Sequence, residues 1–190
     1  MTDEQAWIEA FRNAGEGGRR ARWECAYLAH REAVFALGRS VLGDPSGAED
    51  VLQETYLAAW RYGDRFRGAG SLRGWILRIA ANLSRRALLR ERARRELIRP
   101  LLRPEQEREG APEPATELLA KERAVAVRSA LARLPAEHRM AVSVSALGGL
   151  STEEMAAILG CPPGTVWSRV HHAKKKLAHA LRGLQPGEGT

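Results

Sequence analysis

The stretch from Ser151 to Leu181 leaves this chain fewer ways to fold than any other. It opens with Ser151 and Glu154 at the spacing of a capping box, in which each side chain satisfies the other's orphan backbone N–H. Met155, Ile158 and Leu159, with small Ala156, fall on one helical face. Gly160 is the residue type that best tolerates the left-handed conformation ending a helix. Cys161-Pro162-Pro163-Gly164 does not continue that helix, although proline is accepted in the first turn of a new one. Val166, Val170, Ala173, Leu177 and Leu181 then recur at helical spacing. Two helices joined by so short a turn predict a helix-turn-helix, whose second helix enters the DNA major groove.

The charges agree. Opposite the apolar stripe of the second helix lie Ser168, His171, His172 and Lys175, with Trp167 and Lys174 on its flank. The plainer alternative is an amphipathic hairpin with a solvated basic face. The tight turn joined to a basic second helix favours DNA. A formal net charge of +7 also favours a polyanionic partner, though it bears little on fold. No apolar run is long enough to span a bilayer and the start does not resemble a signal peptide, so the expectation is a cytoplasmic chain without stable membrane insertion. Cys25 and Cys161 lie far apart without paired spacing, which predicts idle thiols rather than a disulfide or a metal site.

Earlier in the chain, residues 1–22 read as a weakly held lead-in. A helix is predicted from Trp23, with Tyr27, Val34, Leu37 and Val41 on one stripe that Leu28, Phe35 and Leu42 widen. Gly43-Asp44-Pro45 breaks it, and Ser46 with Glu49 predicts a second capping box. The following helix buries Ala48, Val51, Leu52, Thr55 and Ala59 and leaves Asp50, Gln53 and Glu54 outside. That acidic face is either ordinary solvated surface or a docking surface for a basic protein, since DNA would be repelled. Tyr62 to Gly70 combines aromatic rings with arginines, the chemistry that stacks an unpaired base and holds its phosphate. From Ser71 a helix is predicted to at least Arg90, with Leu72, Trp75, Ile76, Ile79, Ala80 and Leu83 inward and Arg78, Asn82 and Arg85 outward. Residues 85–103 hold eight arginines against Glu91 and Glu96, a run that predicts phosphate contact.

The composition then inverts. Residues 104–117 hold five glutamates, one arginine and three prolines, too little apolar surface for a core, and read as an extended or disordered linker. Beyond it, Val127, Leu131 and Leu134 line a helix ending at Pro135, and another runs from Ala136 to Leu147 before Gly148-Gly149. The predicted fold is all-α: two small helical domains joined by a flexible acidic, proline-rich linker, the C-terminal one containing the helix-turn-helix. The boundaries are 1–22 for the lead-in, 23–99, 100–117 for the linker, and 118–184.

Four sets of residues in this order carry a resemblance: Ala48 to Thr55 with Ala59-Trp60; Phe66-Arg67-Gly68; Trp75 to Asn82; and Leu134-Pro135 with Arg139, followed by Leu150 to Arg169. Together they resemble the extracytoplasmic-function (ECF) sigma factors of the sigma-70 family over roughly Trp23 to Leu181. The resemblance implies that RNA polymerase core docks at Asp50, Gln53 and Glu54. It implies that Phe66 and Arg67, with Asn82, capture a base flipped from the minus-ten element while Arg78, Arg85 and Arg86 hold the backbone. It implies that Gly164, Thr165, Trp167, Ser168, Arg169, His171, His172 and Lys175 meet the minus-thirty-five element. Promoter DNA, core polymerase and an anti-sigma protein are the implied partners, and no catalytic residue, metal or cofactor is expected. The rival is a stand-alone helix-turn-helix regulator of duplex operators, which leaves the acidic helix and the arginine-aromatic loop unexplained. An enzyme fits worse: Glu153 and Glu154 point apart on a helix, and neighbouring His171 and His172 do not share a face.

Overall fold

The computed structural model describes residues 13, 15–66, 68, 70–98 and 115–182. Helix α1 (Glu16–Leu42) closes at Gly43, whose φ of 89° only glycine accepts easily and whose N–H returns to the Arg39 carbonyl. It begins well before Trp23. Arg19, Arg20, Ala21 and Arg22 are good helix formers without an apolar stripe, and Arg20 pairs with Glu24 one turn on at 3.4 Å. Helix α2 (Pro45–Tyr62) also starts earlier than the sequence suggested. Asp44, not Ser46, is its N-cap, accepting from the Gly47 N–H at 2.6 Å. The proline ring at the first helical position presets the backbone there, which moves the cap one residue upstream.

A 3-10 turn (Gly63–Arg65) leads toward α3 (Leu72–Ile98). After residues outside the description come α4 (Ala115–Ala132), α5 (Ala136–Ala146), α6 (Thr152–Leu159) and α7 (Pro163–Ala180). Among the described residues all regular structure is helical. The Ser151–Glu154 capping box forms as predicted, and Gly160 ends α6 with φ 65° and ψ 40°. Pro163 sits in the first turn of α7.

The first body packs Val34, Leu37 and Val41 of α1 against Val51 and Ala59 of α2 and Ile76, Leu77, Ala80 and Ala81 of α3. Gly38 lets α1 and α2 cross closely, since a Cβ there would stand 3.2 Å from the Ala48 Cα. The buried Thr55 hydroxyl donates back to the Val51 carbonyl at 2.6 Å, so it costs nothing in lost hydrogen bonding. The second body packs Met140 and Val144 of α5, Met155, Ile158 and Leu159 of α6, and Val166 and Val170 of α7. Leu134, Val142 and Ala173 form a smaller cluster under α4. Two residues leave the stripes assigned to them: Leu28 is 65% exposed and Val127 is 41% exposed.

Both helical bodies are there, and their apolar faces merge into one cluster that runs from Trp23 to Val170. Contact between α3 and α6, and between α1 and α5, joins them. Bodies this small bury only part of their apolar surface alone, which favours such a merger. Among the described residues no helix is long and apolar enough to cross a membrane, and no cluster of His, Cys, Asp and Glu is arranged to hold a metal ion.

Candidate nucleic-acid interface

Helix α7 carries Arg169, Lys174, Lys175 and Lys176 and no carboxylate. Its Val166, Val170 and Ala173 are buried, which turns Trp167, Ser168, His171, His172, Lys174 and Lys175 to the surface. Trp167 is 53% exposed, a large apolar ring that no core contact explains. Gly164 is exposed and Thr165 half-buried in the first turn. The Ser168 hydroxyl donates to the Thr165 carbonyl at 3.0 Å. His172 Nδ1 lies 2.6 Å from the Ser168 carbonyl, so it donates there and leaves Nε2 free to accept. Arg169 departs from its expected place: it is half-buried, and its Nη1 donates to Glu137 Oε2 on α5 at 2.9 Å. Its position on the inner flank of α7 brings it to the half-exposed Glu137 carboxylate on α5 rather than to the open face of α7.

Three imidazoles gather where α5 meets α7, with ring centroids 6.1 Å apart for His138–His172 and 5.7 Å for His171–His172. His138 is held below its ordinary pKa of 6.5 by burial, then by Lys176, His172 and Arg169, against an opposing pull from Glu137. His30 on α1 is lowered as well, by burial and Arg73, partly offset by its hydrogen bond at the Ala29 backbone. The unfolded chain therefore binds more protons just below pH 6.5, and stability, full above that value, falls as pH drops through it. Denaturant midpoints at pH 7.5 and 5.5 are expected to differ, with the lower value at pH 5.5, and His138→Gln should narrow the difference. Equal midpoints in the native chain would contradict this.

The loop before α3 is arranged differently from expectation. Phe66 is 3% exposed and packs on Trp75 at 5.5 Å between centroids, and Trp75 in turn packs on Trp23 at 6.2 Å. Its ring is a core element here, not an open stacking platform. Tyr62 is the aromatic left half exposed near the loop, with the Arg65 guanidinium 4.7 Å from its ring centre. Arg67 lies outside the described residues. Arg78, Asn82 and Arg86 are exposed at successive turns of α3 and so share a face. Arg85 is half-buried, donating to Asn82 Oδ1 at 3.0 Å and to the Leu159 carbonyl at 3.2 Å.

Asp50, Gln53 and Glu54 are all exposed but serve two surfaces. Asp50 and Glu54 line a cleft with Arg86, Arg90 and Arg94 of α3. Gln53 lines an open groove of about 830 Å³ between α1 and α2, walled by Trp23, Tyr27, Leu28, Tyr56, Leu57 and Trp60. Sequence reasoning missed the apolar part of this surface. The available signal was Gln53, Leu57 and Trp60 at i, i+4 and i+7, one strip of α2 opposite its buried residues.

Residues 26–95 match the family model for Sigma-70 region 2, and residues 124–177 match that for Sigma-70, region 4. The ECF RNA polymerase sigma factor SigE of Mycolicibacterium smegmatis is 32% identical over 183 residues, covering 95% of this chain and 69% of that protein. SigL of Mycobacterium tuberculosis, another ECF RNA polymerase sigma factor, is 35% identical over 164 residues, covering 83% of this chain and 88% of SigL. Among solved structures, the sigma factor RpoE in complex with the anti-sigma factor NepR from Bartonella quintana superposes with a TM-score of 0.65 at 28% identity, covering 84% of this chain and 96% of RpoE. CnrH, in complex with the cytosolic domain of CnrY, shares the fold with a TM-score of 0.68 at 23% identity over 96% of this chain and 99% of that one. With both sigma regions in order on one all-helical chain, this protein belongs to the ECF sigma factors of the sigma-70 family, promoter-specific factors of RNA polymerase.

Proposed function

We propose that this chain brings RNA polymerase core to promoters by reading the minus-thirty-five element with α7 and capturing a minus-ten base with the loop before α3. The observation that carries the reading is α7 itself: a helix without a carboxylate, second in a helix-turn-helix, whose exposed face offers Trp167, Ser168, His171, His172 and Lys175. Gly164 and Thr165 stand at its N-terminal end, where backbone N–H groups favour a phosphate. Arg169 acts by fixing α7 on α5 through Glu137. On α3, Arg78, Asn82 and Arg86 supply phosphate and base contacts, joined by Arg85 once it leaves Leu159 and by Arg67 in the preceding loop, which Phe66 anchors by packing on Trp75. Phosphate contacts position the bodies, and base contacts select the sequence. Flipping a base costs a few kcal/mol, and stacking returns about 1–3 of them.

Polymerase core docks on α2 in this reading, at Gln53 and the apolar groove beside it, with Asp50 and Glu54 as the charged rim. The domain boundaries follow the same division, with residues 23–99 serving core and the minus-ten element and 118–184 the minus-thirty-five element. A protein inhibitor, as RpoE has in NepR, would act on these same surfaces.

Ser168→Ala with His171→Ala is expected to weaken binding to a minus-thirty-five duplex by about 10-fold or more, given roughly 1–3 kcal/mol per specific base contact. Affinity for core polymerase should stay unchanged. Gel shifts of promoter DNA with and without core enzyme check both arms. Equal loss of both affinities would reject the assignment, and tight sequence-specific binding without polymerase would favour a stand-alone operator-binding regulator.

A further inference from the structure

Ser168 and His172, in the middle of the open face of α7, both commit a hydrogen to their own helix. The Ser168 hydroxyl donates to the Thr165 carbonyl at 3.0 Å. A carbonyl oxygen only accepts, so the His172 Nδ1 that lies 2.6 Å from the Ser168 carbonyl carries the proton of the neutral ring. What each side chain still offers a ligand is an acceptor: the lone pairs of Ser168 Oγ and the bare Nε2 of His172. Both residues are exposed, and at i and i+4 their Cβ atoms stand about 5–6 Å apart on one face.

The imidazole is also held from its sides. His138 of α5 stands edge-on to it, with centroids 6.1 Å apart and planes at 80°, and His171 does so at 5.7 Å and 87°. The bond to the Ser168 carbonyl fixes the tautomer, and the two neighbouring rings limit how far the plane turns. Little side-chain freedom is then lost when Nε2 meets a ligand.

This is the reverse of the commonest chemistry in the major groove. Guanine shows two acceptors there, N7 and O6, and is met by arginine or lysine donors. Arg169, the one arginine of α7, is turned away to Glu137 Oε2 at 2.9 Å. Set against guanine, His172 Nε2 would face a second acceptor, and neither would gain a partner. The donors of the major groove are the exocyclic amino groups, N4 of cytosine and N6 of adenine. A carboxylate accepts from them more strongly but is repelled by the phosphates, and α7 has none. A neutral imidazole and a hydroxyl accept without that repulsion.

Resting on the promoter-reading assignment above, we propose that Ser168 and His172 form an acceptor pair that reads exocyclic amino groups in the minus-thirty-five element, and that His172 selects against guanine. Successive base pairs rise by about 3.4 Å, so two acceptors one helical turn apart are within reach of neighbouring pairs. A phosphate contact, the other role open to an exposed histidine, would carry no sequence information.

The test uses the full chain with core polymerase in mildly alkaline buffer. Each pair of the minus-thirty-five element in a promoter duplex is set to all four bases in turn. One position, or two adjacent ones, should favour an amino-bearing base, with guanine in the same place about 10-fold weaker. Base analogues placed singly then remove the amino group alone: pyrimidin-2-one in place of cytosine, or purine in place of adenine. The analogue that weakens binding about 3–10-fold, the range of one neutral hydrogen bond, tells which base supplies the donor. His172→Ala, which removes no core side chain, should abolish the analogue's effect at one position. His172→Arg should turn the preference there to guanine by about 10-fold or more. Nitrogen-15 shifts of the free chain should show His172 in its Nδ1–H form. A loss with His172→Ala that is equal across all sequences would overturn the proposal, as would an Nε2–H ring, or amino-group removal without effect at every position. In those three cases, binding that still depends on the sequence of the element leaves the promoter-reading assignment standing. Binding indifferent to that sequence would remove both.

Discussion

Arg139→Met is expected to lower the melting temperature by about 6–12 °C, the largest loss of stability from any one polar side chain in the fold. Arg139 is 5% exposed, yet its guanidinium reaches three carbonyls: Val41 at 2.8 Å, Leu134 at 3.3 Å, and Ala132. Only its Nε lacks a partner. The planar fork ties the end of α4 to α5 and, through Val41, the second body to the first. Methionine fills similar space but donates nothing, so three buried or half-buried acceptors lose their charged donor. Hydrogen bonds to charged groups contribute about 1.5–3 kcal/mol each, and breaking a buried charged arrangement costs about 3–5. At about 2–4 °C per kcal/mol for a chain of this size, even the lower figure gives the stated shift. Arg139→Lys should recover only part of it, since a single ammonium does not span three acceptors. Circular dichroism melts check the pair, and a shift below about 2 °C for Arg139→Met contradicts the assignment.

Leu57→Ala with Trp60→Ala is expected to reduce affinity for core polymerase by about 30-fold or more while leaving the fold intact. The two side chains are 58% and 45% exposed, so the core loses little when they are cut back. They line the groove with Gln53, Tyr56 and Leu28, a contiguous apolar surface larger than scattered exposed residues would make. Buried aromatic anchors dominate protein interfaces at about 2 kcal/mol or more each, whereas rim charges such as Glu54 chiefly steer approach. Binding of fluorescent core enzyme to the native and double-variant chains measures the difference. Unchanged affinity would move the docking site away from the α1–α2 groove.

The parts of this protein that the sequence announced are those fixed by neighbours in the chain. The Ser151–Glu154 capping box, Gly160 and the proline-led start of α7 depend on contacts within a few residues, and all form as predicted. Asp44 displaced Ser46 as the α2 cap because both flank Pro45, and only backbone geometry decides between them. Leu28 was read as interior because apolar residues usually are; helical periodicity alone does not distinguish a core stripe from a docking stripe. Phe66 was read as an open platform because its neighbours are glycines and arginines, but it finds Trp75 nine positions on. Glu154 also accepts from the Ser71 N–H, 83 residues upstream, and no local pattern encodes a contact at that range. The bonds from Arg73 to the Leu147 carbonyl and from Arg139 to the Val41 carbonyl were hidden for the same reason.

The central claim is that two helical bodies of one chain grip a promoter jointly, the first of them also holding the transcription enzyme. Run-off transcription with purified core polymerase tests it most directly, on templates selected by the chain from random promoter sequence. The expected result is a defined transcript that requires the added chain, disappears when either element is scrambled, and falls with Ser168→Ala and His171→Ala. No transcript on any selected template, from a chain that fails to associate with core enzyme, would contradict it.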